Sequence, residues 1–416
     1  MSQLPNILFV VVDCLRADYI YEGRASTPNI DKLKDEGFSC TNTISSTSTT
    51  TPCFASLLTG QYPFENGVRS HAGHRLNQAS KTYPGLLRRK GYSTYAEVTG
   101  PLAPEIGLDS GFDSYNYRSR QDHIHTEWGQ RFLEKASDGY YKEPWFLLLH
   151  LWPLHTPRIV KEGFDDDKHG SNLYGRALSS IDHYLGRLTD RLPKDIFLVI
   201  TGDHGEQIAN SRLEAKVKNK LEQGFKKLKK MALTDIHYSK IARHLHIGHG
   251  YGIYDWLVKI PLIFHREDVI ESGSTEVQLR QIDIMPTMLG FLGLEDDINA
   301  RGQDARTDRA DQEGMAYLEA VGSVIPKEEE WLSGLRLDNR YKFIYSPFRE
   351  DYRDELYALG EDPEERHNVA SEKPDIVKGL KQRIEEMDFE KMAGEEIEEE
   401  EREEMRERLE DLGYLD

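Results

Sequence analysis

Residues 6–13 read Asn6-Ile7-Leu8-Phe9-Val10-Val11-Val12-Asp13, a continuous apolar run that ends in a carboxylate. A run without polar alternation is typical of a strand that is buried on both faces of a parallel sheet. Ligands of open α/β sheets bind beyond the carboxyl ends of the strands, which is where Asp13 falls. A turn or helix-capping aspartate is the simpler alternative for this residue.

Two later segments repeat the pattern of an apolar run followed by polar groups. The run 145–149 leads into His150 and then into a loop that holds His155 near two prolines. The run 196–201 is followed by Gly202-Asp203-His204-Gly205-Glu206. Adjacent Asp and His side chains after a buried strand predict a site for a hard or borderline divalent cation, with a plain turn as the alternative.

The segment 47–60 is rich in hydroxyl groups and reads Thr-Ser-Thr-Thr-Thr-Pro before an apolar stretch that ends in Gly60. Proline is tolerated in the first turn of a helix, so the hydroxyls are predicted to lie at a helix N-terminus. Backbone N–H groups and the helix dipole favour an anion at that position. On these residues alone, a helix cap in a polar loop is the simpler interpretation.

The composition limits the classes of protein to which the chain can belong. With 416 residues, 38% of them hydrophobic, the chain can bury a core, and a net charge of −19 argues against nucleic-acid binding. Three cysteines are too few for a disulfide framework. The first residues show no signal peptide, and no run approaches the roughly 20 apolar residues of a membrane span. We therefore expect a cytoplasmic protein, of an oligomeric state that the sequence leaves open.

Residues 212–243 differ from the rest of the chain in charge. They contain ten Lys and Arg residues against three acidic residues, a net charge of +7 within a chain of −19. Apolar residues recur at helical spacing, which predicts a basic amphipathic helical insertion. Three interpretations stay open: a solvated face that packs on the domain, a lid over an anionic substrate, or a peripheral contact with an anionic membrane.

The order of the patterns predicts the domain organisation. Strand-like runs alternate with helical stretches up to about residue 325, which predicts an α/β fold with a mostly parallel sheet. Residues 326–384 contain short strand-like segments and are predicted to form a small C-terminal α+β subdomain. Residues 385–416 are mostly Glu and are predicted to form an acidic helical or partly disordered tail.

In the order and spacing of these motifs, the chain resembles the sulfatase family of the alkaline phosphatase superfamily. The resemblance covers nearly the whole chain and rests on segments 13–18, 27–31, 57–63, 150–157, 202–206, 248–250 and 355–368. It implies an alkaline-phosphatase-like three-layer sandwich. It also implies a single divalent cation, or a close pair, that polarises an ester and activates an oxygen nucleophile.

The chain departs from the family pattern at the nucleophile motif. That motif is Cys or Ser, any residue, Pro, Ser, Arg, and then an apolar run to Thr-Gly. Alignment on Pro52 and Gly60 places Thr50 at the nucleophile, Cys53 at the Ser and Phe54 at the Arg. Sulfatases convert the Cys or Ser to formylglycine, an aldehyde that Thr50 cannot give. The chain therefore resembles the threonine-nucleophile branch, which includes phosphodiesterases and phosphoethanolamine transferases.

The resemblance also implies the site residues. The metal ligands are expected to be Asp13, Thr50, Asp203 and His204. Their mixed oxygen and nitrogen donors favour Mn²⁺ or Zn²⁺, with Mg²⁺ or Ca²⁺ as alternatives. Cys14 stands where many sulfatases carry a second Asp ligand.

Three histidines complete the expected site. His155 and His249 are expected to be catalytic, by binding ester oxygens or protonating the leaving group, and His150 is expected to contact the substrate.

The leading functional prediction is metal-dependent hydrolysis of a phosphate monoester or diester through Thr50. The substrate would be an anionic ester on a glycan, a lipid head group or a small molecule. Sulfate ester hydrolysis is the first alternative, and transfer of a phospho-alcohol head group is the second. A non-catalytic family member is the third, although all the metal-ligand positions are retained.

Overall fold

The central sheet of the protein is built around the first apolar run. The computed structural model describes residues 4–231, 236–267, 269–298, 300–307, 314–322, 324, 326–387, 395–397 and 399–411. Its strands are β1 (Ile7–Val12), β2 (Phe38–Ile44), β3 (His74–Arg75), β4 (Ser93–Val98), β5 (Ser114–Tyr117), β6 (Trp145–Leu151), β7 (Phe197–Gly202), β8 (Lys259–His265), β9 (Gly273–Thr275), β10 (Leu279–Arg280), β11 (Met315–Ala320), β12 (Leu332–Leu337), β13 (Tyr341–Tyr345), β14 (Glu355–Ala358) and β15 (Glu395–Glu396).

The helices connect these strands. They are α1 (Ala17–Tyr21), α2 (Pro28–Glu36), α3 (Thr50–Thr59), α4 (Pro63–Asn66), α5 (Tyr83–Arg89), α6 (Glu127–Ser137), α7 (Leu173–Thr189), α8 (Arg212–Lys230), α9 (Tyr238–Leu245), α10 (Asp255–Val258), α11 (Ile284–Leu292), α12 (Pro374–Glu385) and α13 (Glu399–Asp411). Short 3₁₀ turns lie at Pro104–Ile106, Gln281–Asp283 and Glu328–Glu330. None of the helices in the described part of the chain combines the length and apolar character that a bilayer crossing requires.

The three apolar runs form adjacent parallel strands, as predicted. The nine-stranded sheet has the order β10-β2-β8-β7-β1-β6-β4-β5, with β9 paired to β2. Strand β1 lies between β6 and β7 and is parallel to both. Strand β8 is antiparallel to β7 and to β2, so the sheet is mostly rather than wholly parallel.

Helices cover both faces of this sheet, which confirms the predicted three-layer α/β architecture. One face packs β1, β6 and β7 against α3, α5 and α11, through side chains such as Phe9, Phe54 and Met288. The other face packs the alternate side chains of the same strands, such as Val10, against α1, α2, α6 and α7. Residues on both faces of β1 are fully buried, as expected for a central parallel strand.

A separate antiparallel sheet, β11-β12-β13-β14, forms the C-terminal subdomain together with α12. Its first strand, β11, lies upstream of residue 326, inside the range that the sequence assigned to the catalytic domain. The predicted boundaries at 325 and 384 stay predictions. The short segment 315–320 contains little information about its pairing, because its partner strand lies more than ten residues further along the chain.

The acidic tail packs on the main domain where the structure describes it. Of the predicted tail, residues 388–394, 398 and 412–416 lie outside the described residues. In α13, Met405 and Leu409 are buried in the same core as Phe54, and Arg408 pairs with Glu105 at 2.8 Å. The four-residue spacing of Met405 and Leu409 places both on one helix face. Helix α13 is therefore not solvated on all sides.

A buried ionic network joins the C-terminal sheet to the main α/β fold. Asp255, at the start of α10, accepts hydrogen bonds from Arg336 in β12 (2.9 Å) and Lys342 in β13 (2.8 Å). Lys342 also pairs with buried Glu365 at 3.0 Å. Burial opposes ionisation of Asp255, but the two cations outweigh it and hold the pKa of this carboxyl below its usual range.

We expect Asp255→Ala to lower the free energy of unfolding by about 3–5 kcal/mol, because it removes the one carboxylate that pairs with both buried cations. Urea unfolding followed by circular dichroism measures this loss. The matched control is Glu22→Ala, which breaks an exposed pair with Arg24 and should cost less than about 1 kcal/mol. Equal losses of stability in the two variants would contradict the proposed contribution of Asp255 to the buried ionic network.

Candidate active site

Parallel pairing brings the predicted carboxylates and imidazoles to one edge of the sheet. In the register of β1, Val12 lies beside Leu151 of β6 and beside Gly202 of β7. Asp13 and Asp203 therefore follow the ends of neighbouring strands, and His150 precedes the last residue of β6. Asp13, His150, Asp203 and His204 are all completely buried.

Thr50 is the first residue of α3 and faces this cluster. Its hydroxyl oxygen lies 3.1 Å from Nε2 of His204. Helix α3 ends at Gly60, which adopts the left-handed conformation that glycine accepts readily. The hydroxyls of Ser48 and Thr51 instead bond the carbonyls of Gly252 and Pro101.

Two histidines direct their Nε2 lone pairs at the carboxylates. Nδ1 of His150 lies 3.2 Å from the carbonyl oxygen of Thr99, and Nδ1 of His204 lies 2.8 Å from that of Gly205. A carbonyl only accepts, so each Nδ1 carries the proton and each Nε2 is an acceptor. Nε2 of His150 is 3.2 Å from Oδ2 of Asp13, and Nε2 of His204 is 3.4 Å from Oδ2 of Asp203.

The cluster fits a divalent cation. Oδ2 of Asp13, Oδ2 of Asp203 and Nε2 of His150 are buried and lack a hydrogen-bond partner among the described residues. The ligand atoms of these three residues lie within 4.8 Å of one another. Burial raises the pKa of both Asp13 and Asp203 to about 6, as expected for carboxylates without a neutralising charge. Imidazoles that donate Nδ1–H to a carbonyl are typical metal ligands.

The structure places His150 nearer to the expected metal ligands than the sequence-based prediction of a substrate contact implied. The sequence analysis assigned His150 to substrate contact, whereas the structure places its Nε2 against Asp13, among the groups that fit the cation. Its position near the end of β6 explains the difference, because β6 pairs directly with β1. The roles of all the site residues stay predictions.

Cys14 is part of the cluster. It has a positive φ of 61°, and its backbone N–H donates to Oδ1 of Asp203 at 3.0 Å. Its thiol donates to Oδ1 of Asp13 at 2.8 Å, and the hydroxyl of Tyr174 donates to its carbonyl at 2.6 Å. The residue thus fixes one oxygen of each carboxylate. The second oxygen of each is left for a cation.

His155 and His249 lie together beside His204, and both are buried. Their Nε2 atoms are 3.2 Å apart, and the ring centroid of His249 is 4.3 Å from that of His204. Nδ1 of His249 donates to the carbonyl of Ser48 at 3.1 Å, so Nε2 of His155 carries the proton between the two rings. Burial lowers the pKa of His155 to about 4 and that of His249 well below its usual value. Both rings are therefore neutral, and a single N–H···N hydrogen bond joins them.

The sequence analysis missed three side chains around this site. His71 is buried, with Nδ1 2.7 Å from the hydroxyl of Thr51. Glu206 forms an ion pair with Arg158 and accepts a hydrogen bond from Thr156 at 3.2 Å. Glu206 belongs to the motif after β7, so the sequence contained a signal for it. His71 and Arg158 lie in loops without a comparable pattern.

The comparisons with known proteins agree with this fold. The sulfatase family model matches residues 5–294. An N-acetylgalactosamine-6-O-sulfatase of Bacteroides thetaiotaomicron is 21% identical over 92% of this chain and 93% of its own length. A protein solved in complex with its substrate D-glucosamine-2-N,6-O-disulfate superposes with a TM-score of 0.68 at 19% identity, covering 94% of this chain and all of the other. A phosphonate monoester hydrolase from Silicibacter pomeroyi superposes with a TM-score of 0.70 at 16% identity, covering 94% and 96%.

We expect Asp203→Asn to weaken Mn²⁺ and Zn²⁺ binding at least about a hundredfold. Loss of a residue that only hydrogen-bonds to a metal ligand already lowers metal affinity about ten- to a hundredfold, and Asp203 is expected to be a ligand itself. Titration calorimetry of the purified protein measures the affinity. Asp190→Asn is the matched control, because Asp190 is exposed at the end of α7. Unchanged affinity in Asp203→Asn would contradict the assignment.

Proposed function

Because this chain belongs to the sulfatase family, we propose that it hydrolyses an anionic ester with Thr50 as the nucleophile and a divalent cation as cofactor. The observation that carries the proposal is the position of the Thr50 hydroxyl. It lies at the N-terminus of α3, 3.1 Å from Nε2 of His204, which is itself 3.4 Å from Oδ2 of Asp203. A hydroxyl among buried carboxylates and imidazoles is the arrangement that nucleophilic catalysis requires.

Asp13, Asp203, His204 and Thr50 would hold the cation, with His150 beside Asp13. Carboxylate, hydroxyl and imidazole donors favour Mn²⁺ or Zn²⁺ over Mg²⁺ or Ca²⁺. When bound there, a divalent cation lowers the pKa of a coordinated hydroxyl and polarises the ester.

The residues of the chain account for the two bond changes. Oγ1 of Thr50 forms a bond to the sulfur or phosphorus atom, while the bond from that atom to the leaving oxygen breaks. The proton of the Thr50 hydroxyl ends on the departing alkoxide, and the imidazole of His155, beside His249, can carry it there, so that the ring begins and ends neutral. Water then attacks the sulfo- or phospho-threonine, which restores the Thr50 hydroxyl and releases the inorganic anion.

A sulfate ester of a carbohydrate is the first candidate substrate. One curated relative that covers 92% of the chain is an N-acetylgalactosamine-6-O-sulfatase, and another of the same coverage is an ulvan-active sulfatase. These relatives favour sulfate over the phosphate ester that led the sequence analysis. The anionic character of the substrate is common to both.

A phosphate ester is the second candidate, and the nucleophile motif favours it. The side chain of Thr50 carries a methyl group on Cβ, so its oxidation would give a ketone rather than the aldehyde of formylglycine. Phe54 also replaces the arginine of the maturation motif. Without formylglycine, the covalent intermediate is an ester of Thr50, and water must release it by attack at sulfur or phosphorus. A phospho-threonine can be hydrolysed in this way, with no need for an aldehyde.

We expect Thr50→Ala to lower kcat at least about a thousandfold, because removal of a nucleophile eliminates the covalent route. Turnover is measured with the manganese- or zinc-loaded protein on p-nitrophenyl sulfate, p-nitrophenyl phosphate and bis-p-nitrophenyl phosphate. Thr49→Ala is the neighbouring control and should retain turnover, since Thr49 precedes α3 and makes no side-chain cap bond to it.

The same assay separates the candidates. Turnover of the sulfate ester alone supports the first candidate, and turnover of either phosphate ester alone supports the second. Undiminished turnover in Thr50→Ala would refute the proposed nucleophile, and silence of the wild-type protein on all three esters would argue for a non-catalytic member or a narrow substrate.

We expect His155→Gln to slow esters of aliphatic alcohols by about 10²–10⁴-fold and p-nitrophenyl esters much less. Nitrophenolate leaves without a proton, whereas an alkoxide needs general-acid assistance. Comparison of kcat on a sugar ester and on its nitrophenyl counterpart measures the difference. An equal loss on both would indicate that His155 binds the ester oxygens instead.

A further inference from the structure

Helix α8 exposes an apolar arc to solvent. The side chains of Leu213, Val217, Leu221, Leu228 and Met231 are 73%, 51%, 55%, 46% and 57% exposed. At 3.6 residues a turn these positions fall within roughly 80° of the helix circumference. Isolated exposed apolar residues are common in proteins, but an ordered stripe along one helix marks an interaction surface.

The opposite side of α8 is the one that packs on the protein. Glu222 is buried and lies 3.0 Å from Nδ1 of His246, and it also accepts a hydrogen bond from Tyr238 of α9. The ring of Phe225 lies 6.3 Å from that of Tyr238. The helix is thus anchored by its polar side, whereas the residues of the arc stay 46% to 73% exposed.

Lysines line one edge of the arc. Lys216, Lys220 and Lys227 are exposed, and none forms an ion pair with a described residue. Lys218, Lys226 and Lys229 are paired with Glu214, Glu222 and Glu330. The sequence of α8 holds eight basic and two acidic residues, a net charge of +6 in a chain of −19.

We propose that the α8 surface, defined by the apolar arc and its three lysines, docks the protein on an anionic lipid membrane. An in-plane amphipathic helix buries its apolar face at the acyl boundary while flanking lysines reach the head groups. The rest of the chain is acidic and is repelled by an anionic membrane. The protein would therefore approach the membrane with α8, where its positive charge is clustered. The inference does not depend on the proposed ester hydrolysis.

Charge complementarity favours a membrane over the other occupants. A second copy packed symmetrically through α8 would bring the lysines of both copies together. The acidic helix α13 of the same chain is already docked elsewhere, with Met405 and Leu409 buried. Nucleic acid would meet the lysines but would leave the apolar arc without a partner.

The test is co-sedimentation of the full-length protein with vesicles of phosphatidylcholine, with and without phosphatidylglycerol. We expect binding only to the vesicles with phosphatidylglycerol. Lys216→Glu/Lys220→Glu/Lys227→Glu should weaken it at least about a hundredfold, since each lysine near an anionic surface contributes roughly fivefold. Val217→Asp/Leu221→Asp should weaken binding at least about tenfold and leave the melting temperature unchanged, because both residues are exposed.

Two control variants match these changes outside α8. Lys32→Glu/Lys142→Glu/Lys378→Glu reverses three other exposed lysines, and Val269→Asp/Val277→Asp alters two valines that are 52% and 60% exposed. Both should bind like the wild type. Failure of the wild type to bind, equal binding to both vesicle types, or equal losses in control and α8 variants would overturn the proposal. A wild-type dimer that Val217→Asp/Leu221→Asp converts to a monomer in light scattering would overturn it in favour of a second copy.

Discussion

Two carboxylates buried side by side are the constraint around which this protein is built. Asp13 and Asp203 follow adjacent parallel strands and are both inaccessible to water. Isolated charges cannot be buried at this depth without a compensating charge. The backbone and thiol of Cys14 satisfy one oxygen of each, and His150 and His204 present lone pairs to the other. The arrangement is electrostatically complete only with a cation.

The C-terminal subdomain supports this centre from the opposite side. A bridge joins Thr47 to Glu319 of β11, and the backbone N–H of Glu319 donates to the carbonyl of Ser46 at 3.1 Å. Gln281 bonds both the backbone of Ser46 (3.2 Å) and the carbonyl of Asp203 (2.7 Å). The loop that leads into α3 is thereby held between the edge of the sheet that carries Asp203 and the small sheet. The position of Thr50 depends on contacts with all three parts.

Helix α8, in the basic insertion, differs from the elements of the core in which of its faces is buried. Helix α8 comes after β7 and the Asp203-His204 motif, and its first turn lines a cavity of about 290 Å³ with Arg158 and Tyr174. Its apolar residues contribute nothing to the cores of the two sheets. The face of α8 that in an ordinary surface helix would be buried is instead exposed, and the face that packs is held by Glu222 and its partners.

Several features could be read from local sequence because local physics determines them. Apolar runs without alternation specify buried parallel strands, so β1, β6 and β7 were predictable together with the edge at which Asp13 and Asp203 lie. Pro52, in the first turn, and Gly60, at the C-cap, mark the two ends of α3, and the family spacing selects Thr50 among five neighbouring hydroxyls. The acidic composition and the basic segment were equally visible.

Tertiary structure decided the remainder. The contact between Cys14 and Asp203 spans 189 positions, and the placement of His150 against Asp13, the antiparallel direction of β8 and the burial of α13 likewise depend on which elements become neighbours. In α8, helical periodicity shows that one face is apolar, but it contains no information about what covers that face. Periodicity can be seen in one helix or strand alone. Burial depends on which other element packs against it, and only the folded chain determines that neighbour.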